Sequence, residues 1–294
     1  MTISRRWALT ALVCGLAGCT NTGDLATGSG STAGGKKDSG TLSVKGSDTM
    51  VILGQRWAEN FMKKEPSVSV QVTGGGSGTG IAALVNGTTD ICQSSRPMKD
   101  KEKADVKSKR NADVVETKVA LDALAVYVND KSTLNEIAVP DLAKIYKGEL
   151  TNWKDLGGPD KKIILYGREN NSGTYSYFKE HVLENKDFAA ETQTLAGTSA
   201  VVAAVKGDES GIGYGGIAYT EGVRLVKVKK DAAAEAISPT LETAQKGSYP
   251  LARFLYFYTA GDPGPTAKKF IEFVVSEEGQ KVIGDVGYYP LPKG

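Results

Sequence analysis

The chain has 294 residues, 24% of them charged and 40% hydrophobic. That is globular composition, long enough for one large domain or two medium ones. Formal net charge is +2 and no basic block stands out, so nucleic acid is not an expected partner.

The first segment, "MTISRRWALTALVCGLAGC", sets Arg5 and Arg6 before an apolar stretch from Trp7 to Ala17 and ends in Gly18-Cys19. This order of charge, short apolar core and small residues reads as a secretory signal, too short to span a bilayer as a stable helix. "LAGC" resembles the bacterial lipobox, whose cysteine is diacylated and becomes the first mature residue. An ordinary signal peptide with a chance cysteine is the alternative. "SRRWAL" is also similar to a twin-arginine export signal. Residues 1–18 are thus expected to be a lipoprotein signal peptide, with Cys19 as the lipidation site. Their loss removes Arg5 and Arg6 and no acidic residue, so the mature chain is close to neutral. A ligand site must then work through local dipoles and a few placed charges.

Residues 19–40 form the expected lipidated, flexible tether, since 20–40 are rich in Gly, Ser, Thr and Asn with little to bury. Two acyl chains on one cysteine suffice for stable anchoring. The expected location is extracytoplasmic, lipid-anchored to the cell membrane or periplasmic. With Cys14 in the signal and Cys19 lipidated, Cys92 is left alone, and no intrachain disulfide is possible. Cys92 follows an apolar residue in "TTDICQSSRP" and reads as a buried structural thiol.

From Thr41 strands and helices alternate. "TLSVKG" reads as a strand, and "SDTMVILGQRWAENFMKKE" as a helix capped by Ser47 or Asp48. "SVSVQVTG" is a period-two strand, followed by the helix "SGTGIAALVNG". Then come the strand "TDICQSS", the solvated helix "KDKEKADVKSKR" and the buried strand "ALDALAVYVN". The helix "VPDLAKIYKG", the strand "KKIILYG" and the helix "SGTYSYFKEHVL" follow. "TSAVVAAVKG" is helical, "GIGYGGIAY" a strand with a loop, "YPLARFLYFYT" an aromatic strand, and "GPTAKKFIEFVVSEEGQKVIGDVG" a final helical pair. This alternation implies an α/β fold with mostly parallel sheets flanked by helices. The apolar strands Ala123–Val128 and Leu251–Tyr258 are candidates for crossings between two lobes. Lobe 1 would then be 41–126 with 252–294, and lobe 2 would be 127–251.

Three strand-to-helix junctions share one design: "KGSDTM" (45–50), "GGGSGTG" (74–80) and "RENNSGTY" (168–175). Each sets Ser, Thr or Gly at a helix start, where free N–H groups and the positive end of the helix dipole attract an anion. The same residues are also common plain N-caps. Arg96 in "SSRPM" and Arg168 in "GREN" stand at such junctions, and an arginine presents a planar fork suited to an oxyanion. A surface salt bridge is the alternative for each.

Other chemistry finds no constellation. "GIGYGG" matches G-x-G-x-x-G but no long helix follows it. There is no G-x-S-x-G elbow. His181, expected on a helix surface, is the only histidine, and no C-x-x-C occurs. No enzyme activity, cofactor or metal site is expected.

The pieces "KIYKGELTNWKDLGG", "GRENNSGTYSYFKEHVL" and "SEEGQKVIGDVGYYPL", in this order, resemble the phosphate-binding proteins of bacterial phosphate ABC transporters, over essentially all of 41–294. The resemblance implies a two-lobed periplasmic-binding-protein fold of type II, with two crossover strands and one phosphate held between the lobes. It implies inorganic phosphate and the membrane permease subunits of an importer as partners, and a monomer. Carried over by position, the phosphate ligands would be Ser47, Asp48, Thr49 and the Met50 amide from "GSDTM", and Ser77 and the Gly78 amide from the glycine-rich turn. Ser95 and Arg96 come from "SSRP", and Arg168, Ser172, Gly173 and Thr174 from the second lobe. Many family members carry an aspartate at the position of Ser95. That aspartate accepts the proton of phosphate and repels sulfate. Asp48 is the nearest candidate to replace it, and it is equally well placed as an N-cap. The alternatives left open are another tetrahedral oxyanion (sulfate, molybdate, arsenate), an extracytoplasmic phosphohydrolase, and a sensor or adhesin on the same scaffold.

Overall fold

The structure, a computed structural model, describes residues 40–292. The expected signal peptide, Cys19 and the tether up to residue 39 lie outside the described residues.

β1 (Thr41–Gly46) alternates, with Leu42 and Val44 inward. A 3-10 turn (Asp48–Met50) leads into α1 (Val51–Lys64), which buries Leu53, Trp57, Ala58 and Phe61 at helical spacing. β2 (Ser69–Thr73), α2 (Ser77–Asn86), β3 (Ile91–Ser94) and α3 (Asp100–Arg110) complete the first α/β run. The long β4 (Val114–Val128) leads to β5 (Glu136–Ala138), α4 (Val139–Lys147), β6 (Ile164–Arg168), α5 (Gly173–His181) and β7 (Gln193–Leu195). α6 (Thr198–Gly207), β8 (Gly211–Gly216), β9 (Arg224–Lys229) and α7 (Leu241–Gln245) follow. β10 (Ala252–Ala260), α8 (Pro265–Val275) and α9 (Glu277–Val286) end the order.

The strands run β2-β1-β3-β10-β4-β8-β6-β7, with β9 joining β4 to β5. β1–β2, β1–β3, β5–β9, β6–β7 and β6–β8 are parallel, and every antiparallel pairing involves β4 or β10. β4 changes partner midway. Its residues up to Ala123 pair with β10, and those from Leu124 pair with β8. β4 begins at Val114, ahead of the apolar run that marked it, because Glu116 and Lys118 break the apolar pattern on its more exposed half.

Each side of this crossing has its own aromatic core. Trp57 packs edge-on to Phe257 at 5.7 Å, and Phe61 to Phe270 at 5.2 Å, joining α1, β10 and α8. On the other side Phe178 stacks on Tyr214 at 3.9 Å, with Tyr146 edge-on to Phe178 at 4.8 Å. Such geometries add to the area these rings bury. Cys92 is fully buried and burial pushes its thiol well up, as a structural thiol requires. His181 is exposed and stacks on Tyr177.

Candidate anion-binding site

The first cluster of donors is built where β1, β2 and β3 end. Gly46 has φ +146°, and a Cβ there would come within 2.1 Å of the Gln93 carbonyl, so only glycine lets β1 turn against β3. Ser47 N–H donates to Gln93 O at 2.8 Å, and Gln93 Nε2 donates to Ser47 O at 3.1 Å, pinning the turn. Ser47 Oγ lies 2.9 Å from Ser95 Oγ. Ser77, the first residue of α2, accepts the Ser95 N–H at 3.1 Å. Three hydroxyls from three strand ends thus meet, all of them buried.

The second half is the first turn of α5. Ser172 caps the helix, its Oγ accepting from Thr174 N at 3.2 Å and Tyr175 N at 3.3 Å. A hydroxyl that accepts both keeps its own proton to donate outward. A Cβ on Gly173 would come within 2.3 Å of Ser77 Oγ and 2.7 Å of Ser95 Oγ, so this turn lies directly against the serine cluster. Thr174 Oγ1 is 2.9 Å from Thr49 Oγ1. Arg168, at the end of β6, is only 2% exposed. It donates to Glu169 through Nε and Nη2, to Thr198 through Nη1 at 2.9 Å, and to Asp48 through Nη2 at 3.0 Å. Burial pushes the Glu169 carboxyl up, but the Arg168 hydrogen bonds and charge more than offset this and hold it below the ordinary carboxylate range.

Asp48 is no N-cap. Its Oδ1 accepts the Gly75 N–H at 2.9 Å and its Oδ2 accepts from Arg168, so a carboxylate stands inside the donor cluster. Tyr219 donates to the Asp48 carbonyl, and burial together with the Asp48 charge pushes its phenol up to about 12.

Most of the expected residues come together here: Ser47, Asp48, Thr49, Ser77, Ser95, Arg168, Ser172, Gly173 and Thr174. Three stand differently. The Met50 side chain is in the core and its amide donates to Ser47 O at 3.1 Å, closing the 3-10 turn. The Gly78 amide donates to Asn171 O at 2.9 Å. Arg96 does not join the cluster: its guanidinium forms a two-pronged pair with Glu102 at 2.7 and 2.8 Å. The physical reason is Glu102 on the first turn of α3, a carboxylate in reach on the same side of the loop.

Sequence reading missed Thr198, Asn171 and a buried pair, Asp122 with Arg253. Thr198 opens α6 after Gly197, the same glycine-then-hydroxyl junction as the others. Asn171 Nδ2 donates to Gly75 O at 3.0 Å and Thr79 Oγ1 at 3.2 Å, tying the α5 loop to the glycine-rich turn. Asp122 and Arg253 were visible as lone charges inside the apolar runs "ALDALAVYVN" and "YPLARFLYFYT".

Buried donors supplied by strand-to-helix junctions on both sides of a sheet that β4 crosses describe a two-lobed binding protein of the type II periplasmic class. Residues 31–278 match the PBP superfamily domain, and the chain belongs to that family. It is 35% identical over 271 residues to the phosphate-binding protein PstS of Pseudomonas aeruginosa, covering 86% of this chain and 84% of that one. It is 32% identical over 277 residues to the phosphate-binding protein PstS of Bacillus subtilis, covering 94% and 89%. Among solved structures it is similar to a Clostridium perfringens protein, described as a candidate substrate-binding protein of a phosphate ABC transporter, with phosphate bound. The TM-score is 0.79 at 28% identity, over 86% of this chain and 100% of that one.

Proposed function

We propose that this chain is an extracytoplasmic receptor that captures one inorganic phosphate between its lobes and delivers it to the permease subunits of an ABC importer. The observation that carries this reading is the buried meeting of Ser47, Ser77 and Ser95 with Arg168 and the first turn of α5. Every one of these groups can donate, and such a set replaces the hydration of an anion in a place water does not reach. Asp48 is the exception and gives the selectivity. Phosphate near neutral pH keeps a proton and has use for an acceptor; sulfate has no proton and meets repulsion.

The lobes in this reading are 41–126 with 252–294, and 127–251, turning about the point where β4 changes partner. Cys19 carries the lipid, residues 19–40 are the tether, and the receptor acts as a monomer without chemical turnover. Among the described residues no helix is long and apolar enough to cross a membrane. Calorimetry of purified protein with phosphate, sulfate and arsenate tests the proposal. Stoichiometric phosphate binding that sulfate fails to displace supports it, and tighter binding of sulfate overturns it. Turnover of a phosphate ester would support the phosphohydrolase reading instead.

A further inference from the structure

Arg253, on β10, is 5% exposed and takes no place in the ligand set proposed above. Its Nε and Nη2 donate to Asp122 Oδ2 at 2.9 and 2.8 Å, and Asp122 is fully buried. Asp122 is on β4 beside the residues where that strand changes partner, and its Oδ1 accepts the Ile217 N–H at 3.0 Å, just past β8. The pair therefore sits where the two halves of the sheet join. The guanidinium also lies over the Tyr177 ring at 5.2 Å, on the body of α5.

The same Nη2 reaches the anion site. It donates to Thr174 Oγ1 at 3.0 Å, and Thr174 Oγ1 stands 2.9 Å from Thr49 Oγ1. A threonine hydroxyl has one proton and two lone pairs. Arginine has no lone pair to offer, so toward Arg253 the Thr174 oxygen can only accept. Its single proton is then committed to the other side, to Thr49 or to the anion. If it goes to Thr49, the Thr49 proton is displaced onward in the same direction. Either way one hydroxyl of the pair donates to the site: Thr49 when it receives the Thr174 proton, Thr174 when it does not. Asp122 cancels the charge of Arg253 nearby, so the influence on the anion passes through these hydroxyls and not through a long-range field.

We infer that the Asp122–Arg253 pair is a positioning element for the anion site, which fixes the direction of the Thr174–Thr49 hydroxyl protons toward the bound oxyanion. This rests on the phosphate-receptor reading of the same site. It gives a buried ion pair at the joint of the lobes a task that holding the strands together does not explain.

A double-mutant cycle on the full chain tests it, read by phosphate calorimetry. The arms are wild type, Thr174→Val, the paired replacement Asp122→Asn/Arg253→Met, and all three changes together. Replacing both charged partners avoids stranding one buried charge. The paired replacement is expected to weaken phosphate about tenfold in the wild-type background and less than twofold once the Thr174 hydroxyl is gone. An equal loss in both backgrounds, or no loss in the wild-type one, overturns the inference, because a merely structural pair would act whether or not the hydroxyl is there. If the paired replacement does not fold, Arg253→Lys makes the same cycle with Thr174→Val. A lysine keeps Asp122 compensated, but its ammonium ends one bond short of the Nη2 position from which Thr174 is held, and the same two outcomes decide. Wild-type protein that fails to bind phosphate would sink the receptor reading itself, and additive losses in a protein that does bind would sink only this inference.

Discussion

Truncating Arg168 to alanine tests the placement of the site. A guanidinium has five N–H donors, and four hydrogen bonds to Glu169, Thr198 and Asp48 hold this one rigid. A rigid fork loses little entropy on meeting an oxyanion. One charge-assisted hydrogen bond contributes about 1.5–3 kcal/mol, which is roughly 10- to 100-fold in affinity. Arg168→Ala also leaves Asp48 and Glu169 without their partner, and two carboxylates facing an anion add to the loss. The expected weakening is therefore at least about tenfold. Calorimetry measures it directly, and ligand-induced thermal stabilisation gives an independent reading. Phosphate at a thousand times the wild-type Kd stabilises the fold by about 4 kcal/mol; a hundredfold weaker variant at the same concentration gains about 1.4 kcal/mol. The control is Lys154→Ala. Lys154 lies in the same half of the chain, but it is exposed and paired with Asp160 at 3.3 Å. If Lys154→Ala weakens phosphate as much as Arg168→Ala does, the cluster described here is not the binding site.

Asp48→Asn should weaken phosphate and strengthen sulfate, since an amide removes the negative charge and one acceptor; an unchanged ratio of the two affinities by calorimetry removes Asp48 as the selectivity element. Gly173→Ala should cost phosphate at least tenfold, because its Cβ would lie 2.3 Å from Ser77 Oγ. The melting temperature without ligand should fall as well, because the added Cβ also meets Ser95 Oγ at 2.7 Å and these buried atoms must shift to admit it. For Glu102, burial pushes the carboxyl up but the Arg96 bonds and charge more than offset it, leaving it below 4.5. The folded state therefore binds this proton less readily than the unfolded state. Its contribution to stability is complete above about pH 4.5 and fades as the pH falls through the folded value, so Glu102→Gln should flatten the acid limb of a melting-temperature profile. Cys19→Ala should release a soluble, phosphate-competent protein, and retention in the membrane fraction would end the lipoprotein reading.

What could be read before folding, and what could not, follows from how far each signal reaches along the chain. The alternation of β1, α1, α2, α5 and α6 was legible because burial on one face writes its period into adjacent residues. β5 and β7, three residues each, are too short to show any period. β9 carried a period-two signal in "RLVKVK", which was open to reading and passed over. The site divides in the same way. Ser172, Gly173 and Thr174 were legible because a helix start needs its own cap and close approach within a few residues. The direction of Arg96 was not. An arginine after a strand can turn to an anion or to a carboxylate, and Glu102, six positions on, settles the matter only once α3 has formed and turned its first turn toward the loop. The pairing of Asp122 with Arg253 lies further still beyond sequence reading, at a separation of 131 residues. Yet each residue alone was already informative. A lone charge inside an apolar strand is costly to bury unless a partner waits for it, so one acid in "ALDALAVYVN" and one base in "YPLARFLYFYT" are candidates for each other once both strands are taken to cross between the lobes. The same step places a buried ion pair at the point where β4 changes partner, beside the Thr174 and Thr49 hydroxyls, and ties the proposed binding chemistry to that crossing.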